Sequence, residues 1–168
     1  MKSSGRWSCP ARSPLSKALT MERKYIDCDP GLCSGCQVCE VACSAEKAGE
    51  FNTELSRIHL VHTDRTNTVS MACRFCEDTP CIKACPREAL QMDEAANVIR
   101  LDKMRCTGCG WCIEACDFGA IVIDHSTKSV VICDLCEGRS QPKCIEFCPK
   151  KALKVSTLQV KARKKRAK

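Results

Sequence analysis

Sixteen of the 18 cysteines in this chain fall into four short runs, and no other feature of the sequence restricts its fold as strongly. The first run is Cys33-x2-Cys36-x2-Cys39-x3-Cys43, and the second is Cys73-x2-Cys76-x4-Cys81-x3-Cys85-Pro86. The third is Cys106-x2-Cys109-x2-Cys112-x3-Cys116, and the fourth is Cys133-x2-Cys136-x7-Cys144-x3-Cys148-Pro149. Cys9 and Cys28 stand outside the runs. With four Phe, two Trp and one Tyr in 168 residues, the chain has little aromatic area to bury. A short chain so poor in core and so rich in cysteine relies on disulfides or metals to hold its shape.

Compartment separates those two options. Residues 1–24 contain no continuous apolar stretch of a secretory signal and no twin-arginine pair, and no segment reads as membrane-spanning. The expectation is a cytoplasmic protein with reduced thiols, where a dense cysteine framework points to metal.

The spacing narrows the metal. A 4Fe–4S cubane needs one thiolate on each of four irons. Three cysteines spaced by two residues can wrap one such cluster, and the fourth, beyond a short turn, reaches the other cluster of a pair. The proline after Cys85 and after Cys148 stops the turn from continuing as a helix. Zinc remains an alternative, but its sites use separated Cys-x2-Cys pairs around one tetrahedral ion. A disulfide scaffold would need an oxidising compartment. Cys9 reads as a free surface thiol, and Cys28, beside an expected strand at 25–27, as a buried structural residue.

Charge divides the chain. Lys and Arg number 27 and Asp and Glu 20, for a net +7. Residues 1–24 hold six basic and one acidic residue, and residues 161–168 hold six basic and none acidic. The stretch between them therefore carries −4. Three regions follow: a flexible basic leader over 1–24, ahead of a chain that could start at Met1 or Met21, a cysteine-rich core over 25–158, and a basic tail over 159–168.

The core repeats itself. Cys85, Cys116 and Cys148 are each followed four residues later by an alanine, Ala89, Ala120 and Ala152, and then by a short apolar segment. Such repetition argues for duplication of a small unit. Short strands are expected at 57–61, 121–124 and 130–133, and a hairpin at 90–92 and 98–101 around the turn 93–97. Only short helical turns are expected after Cys36, Cys81, Cys109 and Cys144. His59 and His62 read as surface or interface residues, and Trp111, between Cys109 and Cys112, as a shield over a cluster.

From 25 to 158 the four runs resemble the four-cluster, ferredoxin-like electron-transfer subunits of oxidoreductase complexes. That family includes the beta subunits of dimethyl-sulfoxide-reductase-type enzymes and the iron–sulfur partners of hydrogenases and formate dehydrogenases. The segment from Cys133-Asp134-Leu135-Cys136-Glu137-Gly138 to Cys148-Pro149 is most similar to the compact partners of carbon monoxide dehydrogenase and tungsten aldehyde oxidoreductase. The resemblance implies an α+β fold of pseudo-symmetric, bacterial-ferredoxin-like two-cluster units, with runs one and four forming one unit and runs two and three the other. It implies four 4Fe–4S clusters: one on Cys33, Cys36, Cys39 and Cys148, one on Cys133, Cys136, Cys144 and Cys43, one on Cys73, Cys76, Cys81 and Cys116, and one on Cys106, Cys109, Cys112 and Cys85. Asp117 replaces the usual proline after the last cysteine of run three, and Ser44 follows run one; neither change removes a ligand.

Sites closed by four thiolates leave no open iron for substrate, so no catalytic residue is assigned. The implied role is a non-catalytic subunit relaying single electrons between a catalytic subunit of tungsten, molybdenum or nickel–iron type and a ferredoxin or a flavin or NAD partner. A tungsten aldehyde oxidoreductase is the favoured partner. Backbone N–H groups near Gly35, Gly108 and Gly110 are candidate donors to sulfur. Self-association would extend the relay. The alternatives are an iron–sulfur carrier and a nucleic-acid-binding regulator using the basic tail, whose polyanion binding would fall steeply with salt; the acidic core speaks against specific nucleic-acid recognition.

Overall fold

A computed structural model describes residues 23–62, 67–93 and 95–158. The leader up to residue 22, with Cys9 and Met21, and the tail from 159 lie outside the described residues. Among the described residues, eight strands and four helices follow one another along the chain: β1 (Arg23–Cys28), α1 (Val38–Ala48), β2 (Ile58–His62), β3 (Thr68–Ala72), α2 (Pro80–Lys83), β4 (Leu90–Asp93), β5 (Val98–Leu101), α3 (Trp111–Glu114), β6 (Ile121–Asp124), β7 (Ser129–Ile132), α4 (Lys143–Glu146) and β8 (Leu153–Leu158). A 3-10 turn, Thr53–Leu55, follows α1. The architecture is one of small helices and short antiparallel strands joined by cysteine-rich loops.

Each strand has one partner. β2–β3, β4–β5 and β6–β7 are sequential hairpins, whereas β1 pairs with β8 from Arg23↔Leu158 to Cys28↔Leu153. That long-range pair carries run one to run four. Helix contacts follow the same division, with α1 against α4 and α2 against α3. A two-stranded ribbon is marginal by itself. Here each ribbon lays its apolar face on one shared core, with Ile26, Ile58, Leu90, Ile121, Val130 and Leu153 all at most 5% exposed. Seven cysteines of the runs belong to the same core cluster, so thiols take space that aromatic rings would fill in a larger core.

The third cysteine of every run is the second residue of a helix: Cys39 in α1, Cys81 in α2, Cys112 in α3 and Cys144 in α4. All four are buried. The repeated ending also has a structural basis. Glu88, Gly119 and Lys151, three residues after the last cysteine of their runs, all take left-handed φ values of 50–58°. Their N–H groups donate to the carbonyls of Cys85, Cys116 and Cys148 at 3.1–3.2 Å. The alanine that follows is at most 3% exposed in each case.

One expectation needs correction. The helix after Cys36 is not a short turn: α1 spans 11 residues and carries both Cys39 and Cys43. No proline follows Cys43, and the Ser44 hydroxyl donates to the Val41 carbonyl at 3.0 Å, so nothing stops the helix before Gly49 turns left-handed at its C-terminus. Run three ends its helix without a proline; Ala115 caps it, and the left-handed Gly119 turns the chain into β6. The strand expected at 130–133 sits one residue earlier, which leaves Cys133 in the loop of its run.

Candidate iron–sulfur sites

The fold gathers the sixteen thiols into four groups of four. Cys33, Cys36, Cys39 and Cys148 line one cavity (group A), closed by Leu60 and Ser70 of the β2–β3 hairpin and by Leu153. Cys73, Cys76, Cys81 and Cys116 line another (group C), walled by Ile99, Phe118 and Ile121. Cys85, Cys106, Cys109 and Cys112 line a third (group D), walled by Leu90, Leu101 and Val130. These cavities enclose about 310, 380 and 320 Å³ of empty space, part of it open to solvent. Cys43, Cys133, Cys136 and Cys144 (group B) are all buried, and the other three lie close enough to Cys144 to help raise its pKa. In every group the fourth thiol comes from a different run than the other three.

The donor set fits a thiolate-held polynuclear cluster. A tetrahedral zinc would draw its sulfurs in to about 2.3 Å from one centre. Among the described residues no three His, Cys, Asp or Glu side chains are grouped to hold a single metal ion. The thiols of A, C and D instead surround apolar-walled cavities. All seventeen described cysteines carry free thiols.

Burial dominates the acid–base state of these thiols. It pushes Cys39, Cys81 and Cys112 up to about 11 and Cys133 to about 12, and it drives Cys73 and Cys144 well above the ordinary thiol range. Without a cation these groups hold their protons; binding iron displaces them, because the thiolate is the ligand. Cys85 moves the opposite way. Burial opposes the change, but the N–H groups of Ala89, Arg87, Leu90 and Glu88 outweigh it and pull the thiol down.

Backbone N–H donors reach several sulfurs. Ala89 and Ala120 donate to Cys85 and Cys116, four residues earlier, at 3.3 and 3.4 Å. Phe75 and Leu135 donate to Cys73 and Cys133, two residues earlier, at 3.5 and 3.4 Å. Arg57 donates to Cys43 at 3.3 Å. The glycines of the runs serve by conformation, with Gly35, Gly108 and Gly110 at positive φ.

Neighbouring groups lie close enough to act on one another's thiols: Cys39 of A on Cys144 of B, Cys133 of B on Cys73 of C, and Cys81 of C on Cys112 of D. These proximities place the groups in the order A–B–C–D. Among the described cysteines, the exposed ones, Cys36 and Cys109, belong to A and D. Exposed apolar residues lie near both in sequence: Leu32 and Val38 around Cys36, and Met104 and Trp111 around Cys109. Trp111 is 65% exposed, so it lies mostly in solvent rather than as a cover over the thiols.

Sequence reasoning missed Ser70. It belongs to a hairpin without cysteines, yet its hydroxyl lies 3.4 Å from Cys39 Sγ and 4.0 Å from Cys33 Sγ. The available signal was a polar residue at a buried position of the strand Thr68-Val69-Ser70-Met71-Ala72. His59 is half-buried, 4.0 Å from the buried carboxylate of Glu40.

The family described as the 4Fe-4S dicluster domain matches residues 65–158. The chain is 42% identical over 127 residues to the aliphatic sulfonate oxidoreductase, polyferredoxin-like subunit, of Pyrococcus furiosus, covering 76% of this chain and 72% of that one. It is 38% identical to the putative electron transport protein YsaA of Escherichia coli, covering 77% and 87%. Among solved structures it resembles a chain of the active site complex BamBC of benzoyl coenzyme A reductase, with a TM-score of 0.50 and 24% identity over 86% of this chain and 83% of that one; this likeness speaks to the fold. No helix among the described residues is long and apolar enough to cross a membrane.

Proposed function

This chain belongs to the 4Fe–4S dicluster-domain family of ferredoxin-like electron-transfer proteins, and from that premise we propose that it is the four-cluster electron-transfer subunit of a cytoplasmic oxidoreductase complex. Groups A to D are the four ligand sets, arranged as two pseudo-symmetric two-cluster units, A with B and C with D. When bound, a 4Fe–4S cluster supplies one-electron acceptance and release. The chain's own residues hold each cluster with four thiolates, exclude water with the apolar walls and donate N–H groups to sulfur. Full thiolate shells leave no position for substrate, so the subunit is non-catalytic.

The observation that carries this reading is the order of the thiol groups. Nearby thiols relate A to B, B to C and C to D, and both terminal groups hold an exposed cysteine. Electrons enter at one end and leave at the other. One end serves a catalytic subunit, of which a tungsten aldehyde oxidoreductase is the favoured kind, and the other a ferredoxin or a flavin or NAD partner. The 42% identical polyferredoxin-like subunit of an oxidoreductase supports a catalytic oxidoreductase partner.

The test is anaerobic co-purification of the holo chain with its native partners. A stoichiometric catalytic oxidoreductase subunit, whose substrate bleaches the iron–sulfur absorbance of this chain, is the expected result. A chain that purifies alone and hands its iron to an apo-protein would support the carrier reading instead. Salt-sensitive retention on DNA by the holo chain would support the regulator.

A further inference from the structure

Around group A, three polar observations converge on Ser70. Its side chain is buried at 3% exposure on β3, opposite Leu60. Its hydroxyl lies 3.4 Å from Cys39 Sγ and 4.0 Å from Cys33 Sγ. Its backbone N–H donates to the sulfur of Cys28 at 3.3 Å, a thiol outside the four runs. Cys28 in turn stands on β1, paired with Leu153, another wall of the same cavity.

The chemistry fixes the direction of the hydroxyl bond. A cysteine sulfur bound to iron has lost its proton and can only accept. Ser70 Oγ–H is therefore the donor, with Cys39 as the nearer acceptor and Cys33 as the alternative. A hydrogen bond to a ligand sulfur withdraws charge from the cluster and favours its reduced form. The hydrogen bonds described above for the other groups come from backbone N–H donors. A side-chain donor differs in that one substitution removes it.

We propose that Ser70 is the residue that sets the reduction potential of the group A cluster, holding it above the value its thiolates alone would give, and that Cys28 is a positioning residue that pins the Ser70 backbone against the cavity. This rests on the assignment of Cys33, Cys36, Cys39 and Cys148 as the ligands of one cluster. Because A is a terminal group, Ser70 adjusts the driving force at one end of the relay without touching the other three sites. Glu40 lies buried beside Cys39 and acts in the opposite sense as a negative charge. It is unchanged in the variants below, so the comparison isolates the hydroxyl.

The experiment is an EPR-monitored redox titration of the full holo chain in wild-type form and as Ser70→Ala, Ser70→Thr and Cys28→Ala, with iron measured per chain. Ser70→Ala is expected to keep its iron and to shift one of the four potentials downward, leaving the other three in place. Ser70→Thr, which keeps the hydroxyl, is expected to restore that potential toward the wild-type value. Cys28→Ala is expected to shift the same potential down by less. Four unmoved potentials in fully loaded Ser70→Ala would overturn the proposal. So would loss of about a quarter of the iron in Ser70→Ala, because the hydroxyl would then be needed to hold the cluster rather than to tune it. A Ser70→Thr protein with full iron and the same lowered potential as Ser70→Ala would overturn it as well. The wild-type control keeps the two readings apart: a wild-type chain without iron refutes the cluster assignment, whereas a loaded wild type with insensitive variants refutes only the role of Ser70.

Discussion

Gly108 sits between Cys106 and Cys109 with φ at +65°, and a Cβ built there would lie 2.6 Å from the backbone carbonyl oxygen of Lys128. Neither the conformation nor the contact tolerates a side chain. Gly110, two residues on, has φ at +82° but open space around it. Left-handed strain alone costs about 1–3 kcal/mol, so Gly110→Ala is expected to lose that much in anaerobic thermal unfolding. Gly108→Ala is expected to lose more and to bind less iron at group D; equal losses for the two would show that the Lys128 contact is unimportant. His59 supplies a pH test. Burial lowers its pKa from the ordinary value near 6.5, and its Nε2 has no hydrogen-bond partner among the described residues. Between the folded and ordinary pKa the unfolded chain binds the extra proton, so stability is complete above about 6.5 and falls as pH drops below it. Replacing His59 by Gln should flatten the stability of the holo protein between pH ~7.5 and ~5.5 relative to wild type; identical slopes would rule out His59 as their source.

At the scale of elements, the loop of run four is tied to α1 and to the segment before β2 by Asp134. Its Oδ2 accepts from Lys47 Nζ at 2.9 Å and from Arg57 Nη1 at 2.7 Å, and its Oδ1 accepts from the Cys136 N–H at 3.1 Å. Lys47, Arg57 and burial act together on this carboxyl: burial raises its pKa, and the two cations lower it by more. These side chains are 16–27% exposed, so the pairs are partly shielded from water. Asp134→Ala leaves two cations and one N–H without their acceptor, and a loss of about 1–3 kcal/mol is expected in anaerobic unfolding; a change within ±0.5 kcal/mol would place the tie elsewhere. Group B gives a sharper test, because Cys43 reaches it from α1. Cys43→Ala is expected to weaken the iron site of Cys133, Cys136 and Cys144 while sparing Cys33, Cys36 and Cys39; the reverse pattern would show local ligation within run one. Much of this scale was legible beforehand. The strand at 121–124 and the 90–101 hairpin follow from apolar segments beside Asp- and Asn-containing turns. The repeated alanines follow from a left-handed turn and, after Cys85 and Cys116, from an N–H aimed back at sulfur. The length of α1 was not legible, because helix continuation past Cys43 depends on the absence of a stop and on packing against α4. Ser70 was hidden for a related reason: pairing β1 with β8 and folding the β2–β3 hairpin over run one are long-range events with no local motif.

For the whole molecule, the β1–β8 pair joins the two ends of the described core and sets run one beside run four, while α2 and α3 set run two beside run three. Each group of four thiols therefore takes one member from another run; on the proposed ligand assignment, this couples metal binding to folding. The order A–B–C–D then follows from the proximity of neighbouring groups. The most direct test of the account is to measure iron and acid-labile sulfide in the anaerobically purified chain and to record its EPR spectrum after dithionite reduction. The account predicts about sixteen irons and as many sulfides per chain, with magnetically coupled signals from clusters in close contact. Zinc in place of iron, or an intact, folded chain holding only a few irons with isolated signals, would contradict it.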